Sequence, residues 1–397
     1  MNSLRILFYR LRGLFLKRSL DQELDQEISS HLEMLIEDYQ RQGMSADEAR
    51  FAALRKFGGI DQLKENYRDK RSLPAIETLF RDLGFGFRMF SEEAMIALDA
   101  GRAFDGGKPP TELHFRDARI HNPRKDTPPR TILGVDQKAW FKGQLRRSTA
   151  TWKIWGNSLG ALDLRADLQN LPAGMVKNPW PADTYAQSGS NDYGSAYAER
   201  SEIYDLVRDS KITGFAIVSG DRHSFWAGYA AAYLPPRKFE PVGLSFVGAS
   251  LASPGAMEAH EHNLKKTNPL RPLYLADRPD GAKPDWTFNM LLKHGVRSCL
   301  EYAKSFDLKR ARSLSNPELS PHLQFVDMGG HGYATVRLTA DEMRTEFVCI
   351  PRPIARSERA DGGPIRYRVL HTAALWKSGE RPQLKTSVLE GDAGLSI

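Results

Sequence analysis

The chain has 397 residues, 41% of them apolar, which is enough to bury a sizeable core and sets a soft prior of two or three domains. Its 56 basic and 49 acidic residues give a formal net charge of +7 but are interleaved along the chain, which argues against a nucleic-acid-binding stripe. Cys299 and Cys349 are too few for a disulfide framework or a cysteine-rich metal site, though they leave a single bridge open, and no run approaches the roughly 18 consecutive apolar residues of a membrane span.

Up to about residue 90 the pattern is helical. Leu4, Leu7, Phe8, Leu11, Leu14 and Phe15 recur at three- and four-residue spacing among Arg5, Arg10, Arg12, Lys17 and Arg18, predicting a basic amphipathic helix over residues 1–20. Such a helix suits an anionic membrane surface or a partner protein, and packing on its own neighbours suits it equally. The arginines interrupt every apolar run, so the opening does not read as an export signal, and the chain as written reads as cytoplasmic or peripheral to a membrane. A second helix is predicted from about Leu20 to Gln42, stopping at Gly43. Ser45 and Glu48 then form a capping box that opens a short helix ending at Gly58-Gly59.

Beyond Ser91 come Pro/Gly-rich loops around short apolar strands and a few helices. The pattern predicts a helix between Gly134 and Thr149 and a strand over Thr151–Asn157 ending in Asn157. A long polar loop follows from Asn170 to Ala196, then a helix over Tyr197–Asp209 and a strand over Val242–Ser250. A hairpin is expected over Leu323–Cys349 around Gly329-Gly330. Alternating strand, helix and strand predicts an α/β layered domain.

The run Phe215-Ala216-Ile217-Val218-Ser219-Gly220-Asp221-Arg222-His223-Ser224 reads as a buried strand ending in a Gly-Asp-x-His turn. In open sheets ligands gather at strand C-termini, and a carboxylate and an imidazole two residues apart can reach one cation while Gly220 lets the backbone turn. A capped turn carrying a satisfied polar histidine fits the same tetrapeptide.

The first segment resembles the N-terminal prefix region of MacB-like ABC-transporter permeases. The resemblance rests on Leu20-Asp21-Gln22-Glu23-Leu24, His31-Leu32-Glu33-Met34, Gly43-Met44-Ser45, Arg55-Lys56-Phe57-Gly58-Gly59 and Asp82-Leu83-Gly84-Phe85-Gly86-Phe87. The remainder resembles the C-terminal portion of PhoD-type alkaline phosphatases, calcineurin-like metallophosphoesterases. Here the carrying stretches are Ser148-Thr149-Ala150-Thr151-Trp152-Lys153, Gly156-Asn157, Asp192-Tyr193-Gly194-Ser195 with Glu199-Arg200, Ser219 to Trp226, Ser253-Pro254-Gly255 and His331-Gly332-Tyr333. These resemblances imply a helical segment over residues 1–90, the later part of a metallophosphatase domain over 91–350 and its extension over 351–397, in an α/β layered sheet fold.

The second resemblance implies hydrolysis of phosphate esters by metal-activated water, with calcium and iron as the expected ions. It makes Asp221 and His223 metal ligands and Asn157 a ligand or a partner of one, with Arg222 and Arg200 as phosphate contacts. Relatives of this kind are usually exported and carry further ligands on an earlier half, whose motifs are not found in residues 1–130; His121 reads as a loop residue there. The expected site is therefore short of ligands, the expected activity impaired, and the sheet is expected to leave apolar faces and edges uncovered. The alternative is a non-catalytic fusion whose prefix binds a partner or a membrane surface. His260-Glu261-His262 reads as a solvated turn, because residues two apart on a helix point about 200° apart. Gly248-Ala249-Ser250-Leu251-Ala252 departs from a nucleophile elbow at Ala252. Phe225, Trp226, Tyr229 and Tyr233, interleaved with alanines, read as a packed helix or loop behind the turn.

Overall fold

The structure, a computed structural model, describes residues 34, 36, 38–41, 43–46, 48, 49 and 52, then 95–105, 111–115, 118–122, 130–173, 180–189, 192–351 and 363–396. The chain divides into two compact units, Met1–Gly84 and Phe85–Ile397.

In the first unit the described residues up to 41 are helical, and the helix stops where Gly43 takes a φ of +93°. The Met44 amide bonds back to the Tyr39 carbonyl at 3.2 Å, which satisfies an end-of-helix acceptor. Glu48 Oε2 accepts from the Ser45 amide at 3.1 Å, and the Glu48 amide donates to Ser45 Oγ at 3.4 Å. That is the reciprocal box expected from the sequence. The predicted basic helix of residues 1–20 lies outside the described residues.

In the second unit the strands are, in chain order, β1 (Met95–Asp99), β2 (Glu112–Phe115), β3 (Ala118–His121), β4 (Lys153–Gly156), β5 (Arg165–Ala166), β6 (Tyr185–Gly189), β7 (Phe215–Ser219), β8 (Phe225–Tyr233), β9 (Glu240–Val247), β10 (Leu323–Asp327), β11 (His331–Leu338), β12 (Glu342–Ile350), β13 (Tyr367–Ala374) and β14 (Lys385–Gly391). The helices are α1 (Gly134–Arg147), α2 (Tyr197–Asp209), α3 (Ala256–Asn263), α4 (Arg271–Tyr274), α5 (Phe288–His294), α6 (Val296–Ser305) and α7 (Leu308–Ser313). A five-stranded sheet in the order β10-β8-β9-β7-β4 organises the fold, and a four-stranded antiparallel sheet, β11-β12-β13-β14, lies over one of its faces. The unit is a mixed α/β layered domain.

Side chains along β8 alternate between two covered faces. Phe225, Ala227 and Tyr229 join Phe325, Phe347 and Tyr367 in a core between the two sheets. Trp226 packs with Met290, Leu292 and Cys299 from α5 and α6, while Ala230 and Ala232 meet Ile203 and Tyr204 of α2. Full burial of a side chain as large as Trp226 stabilises by about 2–3 kcal/mol.

Several expectations are corrected. Residues 225–233 form a central strand rather than a helix or loop: with both faces covered, β8 shows no exposed alternation, and its alanines fit where neighbouring layers come close. A Cβ on Gly228 would lie within 3.0 Å of the His322 carbonyl carbon, so that position excludes any side chain. Leu323–Cys349 is not one hairpin. β10 pairs with β8, the chain crosses to the other sheet at Gly329-Gly330, and the hairpin is β11 with β12. The polar loop from Asn170 to Ala196 contains β6, which pairs antiparallel with β1, and His121 ends strand β3 rather than lying in a loop. Cys299 and Cys349 are buried free thiols, with no bridge between them. No helix among the described residues is long and apolar enough to cross a membrane.

Candidate metal centre

Parallel pairing sets one rim of the five-stranded sheet. β4 and β7 run in register with Gly156 opposite Val218, and the Asn157 amide extends the ladder to the Val218 carbonyl at 2.9 Å. β7 and β9 pair with Ser219 opposite Val247, and the Gly248 amide continues to the Ser219 carbonyl at 2.9 Å. β10, two strands over, ends at Asp327 on the same rim, opposite Phe225 at the start of β8. Asn157, Gly220-Asp221 and Gly248 therefore follow the C-terminal ends of adjacent strands, the edge of an open sheet where ligands collect.

The turn after β7 is held in an unusual backbone. Asp221 has φ +68° and His223 φ +48°, both left-handed, and the Arg222 amide between them bonds back to the Gly220 carbonyl at 2.9 Å. Left-handed residues other than glycine are costly and persist where surrounding contacts over-determine them. Arg222 supplies those contacts. Its Nε and Nη2 donate to Asp192 Oδ2 at 3.0 and 2.7 Å, Nη2 also reaches the Leu162 carbonyl at 2.7 Å, and the guanidinium lies over Trp226, 4.6 Å from the ring centroid. Ser224 Oγ joins the set, donating to the Arg222 carbonyl at 2.9 Å and accepting from Trp226 Nε1 at 2.7 Å. With Arg222 drawn inward, the side chains on either side are left for the rim: Asp221 is exposed and His223 half-buried.

His223 Nδ1 lies 2.9 Å from the Pro254 carbonyl oxygen. A carbonyl can only accept, so Nδ1 carries the proton in the neutral ring and the lone pair sits on Nε2. Metal-binding histidines are commonly held this way, through a backbone carbonyl on the other nitrogen. Asp221 has its pKa raised, chiefly by loss of hydration and further by the Asp192 carboxylate, while His223 and Arg222 oppose the shift. Asn157 is half-buried and donates Nδ2 to the Leu159 carbonyl at 2.6 Å, which leaves its amide oxygen as the acceptor end.

The two arginines expected at a phosphate are placed in ion pairs within the protein. Arg222 is the inward strut just described. Arg200, on α2, is 4% exposed, pairs with Asp163 and donates to the Ala161 carbonyl at 3.2 Å. Burial acts to raise Asp163, but Arg200, His322 and Arg165 outweigh it and hold that carboxyl below the ordinary range. The His260-Glu261-His262 run is corrected too. It lies on helix α3, where His260 is buried with its ring 4.9 Å from that of Tyr274, and Glu261 accepts from Trp286 Nε1 at 2.6 Å.

Sequence reasoning passed over Asp192 and Pro254 as functional residues, although both stand in quoted motifs. For Asp192 a local signal existed: its Oδ1 accepts from the Gly194 amide at 2.8 Å, the Asx-turn behaviour of an Asp-x-Gly run. Its pairing with Arg222, 30 residues on, had none.

The donor chemistry at the rim, a carboxylate, an imidazole in the Nδ1–H form and an amide oxygen, suits one side of a metal site. Among the described residues no group of three or more His, Cys, Asp or Glu is placed to hold a metal ion.

Comparison with known proteins agrees with the PhoD-type resemblance. Residues 42–283 match the family model described as PhoD-like phosphatase, a match that begins inside the segment with the permease-prefix resemblance. Over 153 residues the chain is 25% identical to Alkaline phosphatase D of Bacillus subtilis (strain 168), covering 38% of this chain and 22% of that protein's length. A solved chain titled "Structure of PhoD" aligns with a TM-score of 0.39 and 16% identity, over 66% of this chain and 36% of that one. Matched over more than half its length, the chain belongs to the PhoD-like phosphatase family.

Proposed function

We propose that the protein hydrolyses phosphate esters at the rim of the five-stranded sheet, where Asp221 and His223 hold a metal ion. The observation that carries this reading is the turn itself. Two ligand-type residues stand in left-handed backbone on either side of an arginine tied into the protein interior, and the imidazole carries its proton on the nitrogen facing a backbone carbonyl. Strain of this kind, maintained by dedicated contacts, is what a preorganised ligand pair requires.

A metal ion bound there would supply Lewis-acid polarisation of a phosphoryl oxygen and acidify water; calcium and iron are the ions the family resemblance suggests. The chain's own part is positioning. Asp221 offers a hard oxygen donor and His223 its Nε2, while Asn157 presents an amide oxygen from the adjacent strand as a ligand or as a partner of one. A two-metal phosphoesterase site needs roughly six or more protein ligands, so a rim with these three is expected to turn over slowly.

Turnover of nitrophenyl phosphate mono- and diesters, with bound metal quantified on the same sample, tests the reading. Activity that rises with added metal and disappears in both Asp221→Ala and His223→Ala supports it. Absence of metal and of turnover leaves the alternative, a module that acts by binding a partner or a membrane surface.

A further inference from the structure

The peptide that fixes His223 is itself held from its other side. Its carbonyl, from Pro254, faces His223 Nδ1 at 2.9 Å, and its amide, on Gly255, donates to Glu258 Oε2 at 2.8 Å. The same carboxylate oxygen lies 3.4 Å from Nε2 of His331, a histidine 3% exposed at the first position of β11. A polar chain thus runs from imidazole to peptide to carboxylate, with the buried His331 ring in contact with that carboxylate but not hydrogen-bonded to it, across the loop after β9, the first turn of α3 and the crossover from β10 to β11.

The packing leaves this chain little freedom. A Cβ on Gly255 would come 3.3 Å from the His223 carbonyl oxygen, 3.5 Å from that of Met328 and 4.0 Å from His331 Nε2, so the three segments meet around one glycine. The Gly332 amide bonds to the Ser250 carbonyl at 3.1 Å, and the Ser253 amide to Ser250 Oγ at 2.8 Å, fixing the loop that carries Pro254. A carboxylate accepting from a peptide N–H polarises that peptide and makes its carbonyl a stronger acceptor.

We propose that Glu258 and His331 are positioning residues for His223, acting on it through the Pro254–Gly255 peptide. Glu258 anchors and polarises the peptide, and His331, buried and fixed at the head of β11, confines the Glu258 carboxylate by contact. The consequence for metal affinity rests on the function proposed above. The consequence for the protonation pattern of His223 does not.

The test uses the full chain without metal, then with Mn²⁺. Long-range ¹H–¹⁵N spectra report which nitrogen of His223 carries the proton, with the signal assigned by its loss in His223→Ala. The wild type is expected to be predominantly Nδ1–H. Glu258→Ala is expected to move His223 toward the Nε2–H form that histidine favours in water and to weaken Mn²⁺ binding about 10-fold. Glu258→Gln, whose amide oxygen can still accept from Gly255, is expected to restore the wild-type spectrum and most of the affinity. His331→Leu should shift the spectrum in the direction of Glu258→Ala, and it decides the matter if Glu258→Ala does not fold. An unchanged His223 spectrum in folded Glu258→Ala, or in His331→Leu where that variant decides, overturns the proposal. A wild type that binds no Mn²⁺ overturns the metal-site reading instead, and the spectra still decide the positioning role.

Discussion

Arg222 donates two N–H groups, Nε at 3.0 Å and Nη2 at 2.7 Å, to a single carboxylate oxygen of Asp192, in a pair whose side chains are 9% and 16% exposed. Arg222 stands between the two proposed ligands in the chain, so loss of the pair should affect both stability and the turn. Removing one partner strands a largely buried charge, which costs about 3 kcal/mol. Asp192→Ala is therefore expected to lower the unfolding free energy by about that much in urea titrations and to weaken metal binding. If stability falls while metal affinity stays at the wild-type value, Arg222 does not orient the turn.

Gly160 is a second determinant of the same strut. A Cβ there would overlap the Arg222 side chain, with Cδ at 2.8 Å, so Gly160→Ala should displace the guanidinium at a cost of about 1–3 kcal/mol. The two positions should be strongly non-additive. In an Arg222→Ala background the three closest contacts of the added methyl are gone, and Gly160→Ala should then cost much less. Equal costs in both backgrounds would mean that the alanine at 160 acts elsewhere.

Helix α2 and strand β7 could be read from the sequence because each carries its own local signal: apolar residues at helical spacing over Tyr197–Asp209, and an apolar run with two β-branched members closed by Gly220. The turn after β7 was readable as a strand end for the same reason, since Gly220 and Asp221 close the apolar run. β8 was not. Its Ala230-Ala231-Ala232 run favours helix locally, and only the layers covering both faces make it a strand, an override that no local pattern reports. The fates of Arg200 and Arg222 were also hidden, because their partners Asp163 and Asp192 lie 37 and 30 residues away and are brought near by sheet order alone. The crossover at Gly329-Gly330 carries the turn residues of a hairpin, and what sends it to another sheet is tertiary: Asp327 is fully buried, accepting from Tyr367 Oη at 2.7 Å and from the Gly329 amide at 3.2 Å.

Buried histidines make stability dependent on acid. Burial pushes His322 and His260 down to about 4 and His371 down to about 3, where the cation Lys293 adds to the effect. In the unfolded chain these rings take up protons near 6.5. The unfolded state therefore binds more protons between the two values, so the stabilisation is complete above about pH 6.5 and is lost as pH falls from there through about 4. Urea midpoints should accordingly drop between pH 7.5 and pH 5. His371→Phe, which keeps an aromatic ring among Phe325, Phe347 and Phe246, should reduce that drop. A midpoint independent of pH across this range would mean that the rings are not held neutral.

The left-handed turn predicts a trade between stability and function at one residue. Asp221 sits at φ +68°, where a Cβ is unfavourable, and it is exposed, so little packing offsets the strain. Its pKa is raised rather than lowered, meaning that the fold stabilises its charged form less than water does. Glycine at this position would relieve the backbone and remove the carboxylate. Asp221→Gly is therefore expected to raise the unfolding free energy by about 1 kcal/mol while abolishing metal binding and phosphatase turnover. Asn, which tolerates the left-handed region and keeps an oxygen donor, should be near wild type in stability and intermediate in metal affinity. The opposite pattern, destabilisation by glycine with metal affinity retained, would show that Asp221 is kept for a structural contact, and the proposed ligand pair would lose one member.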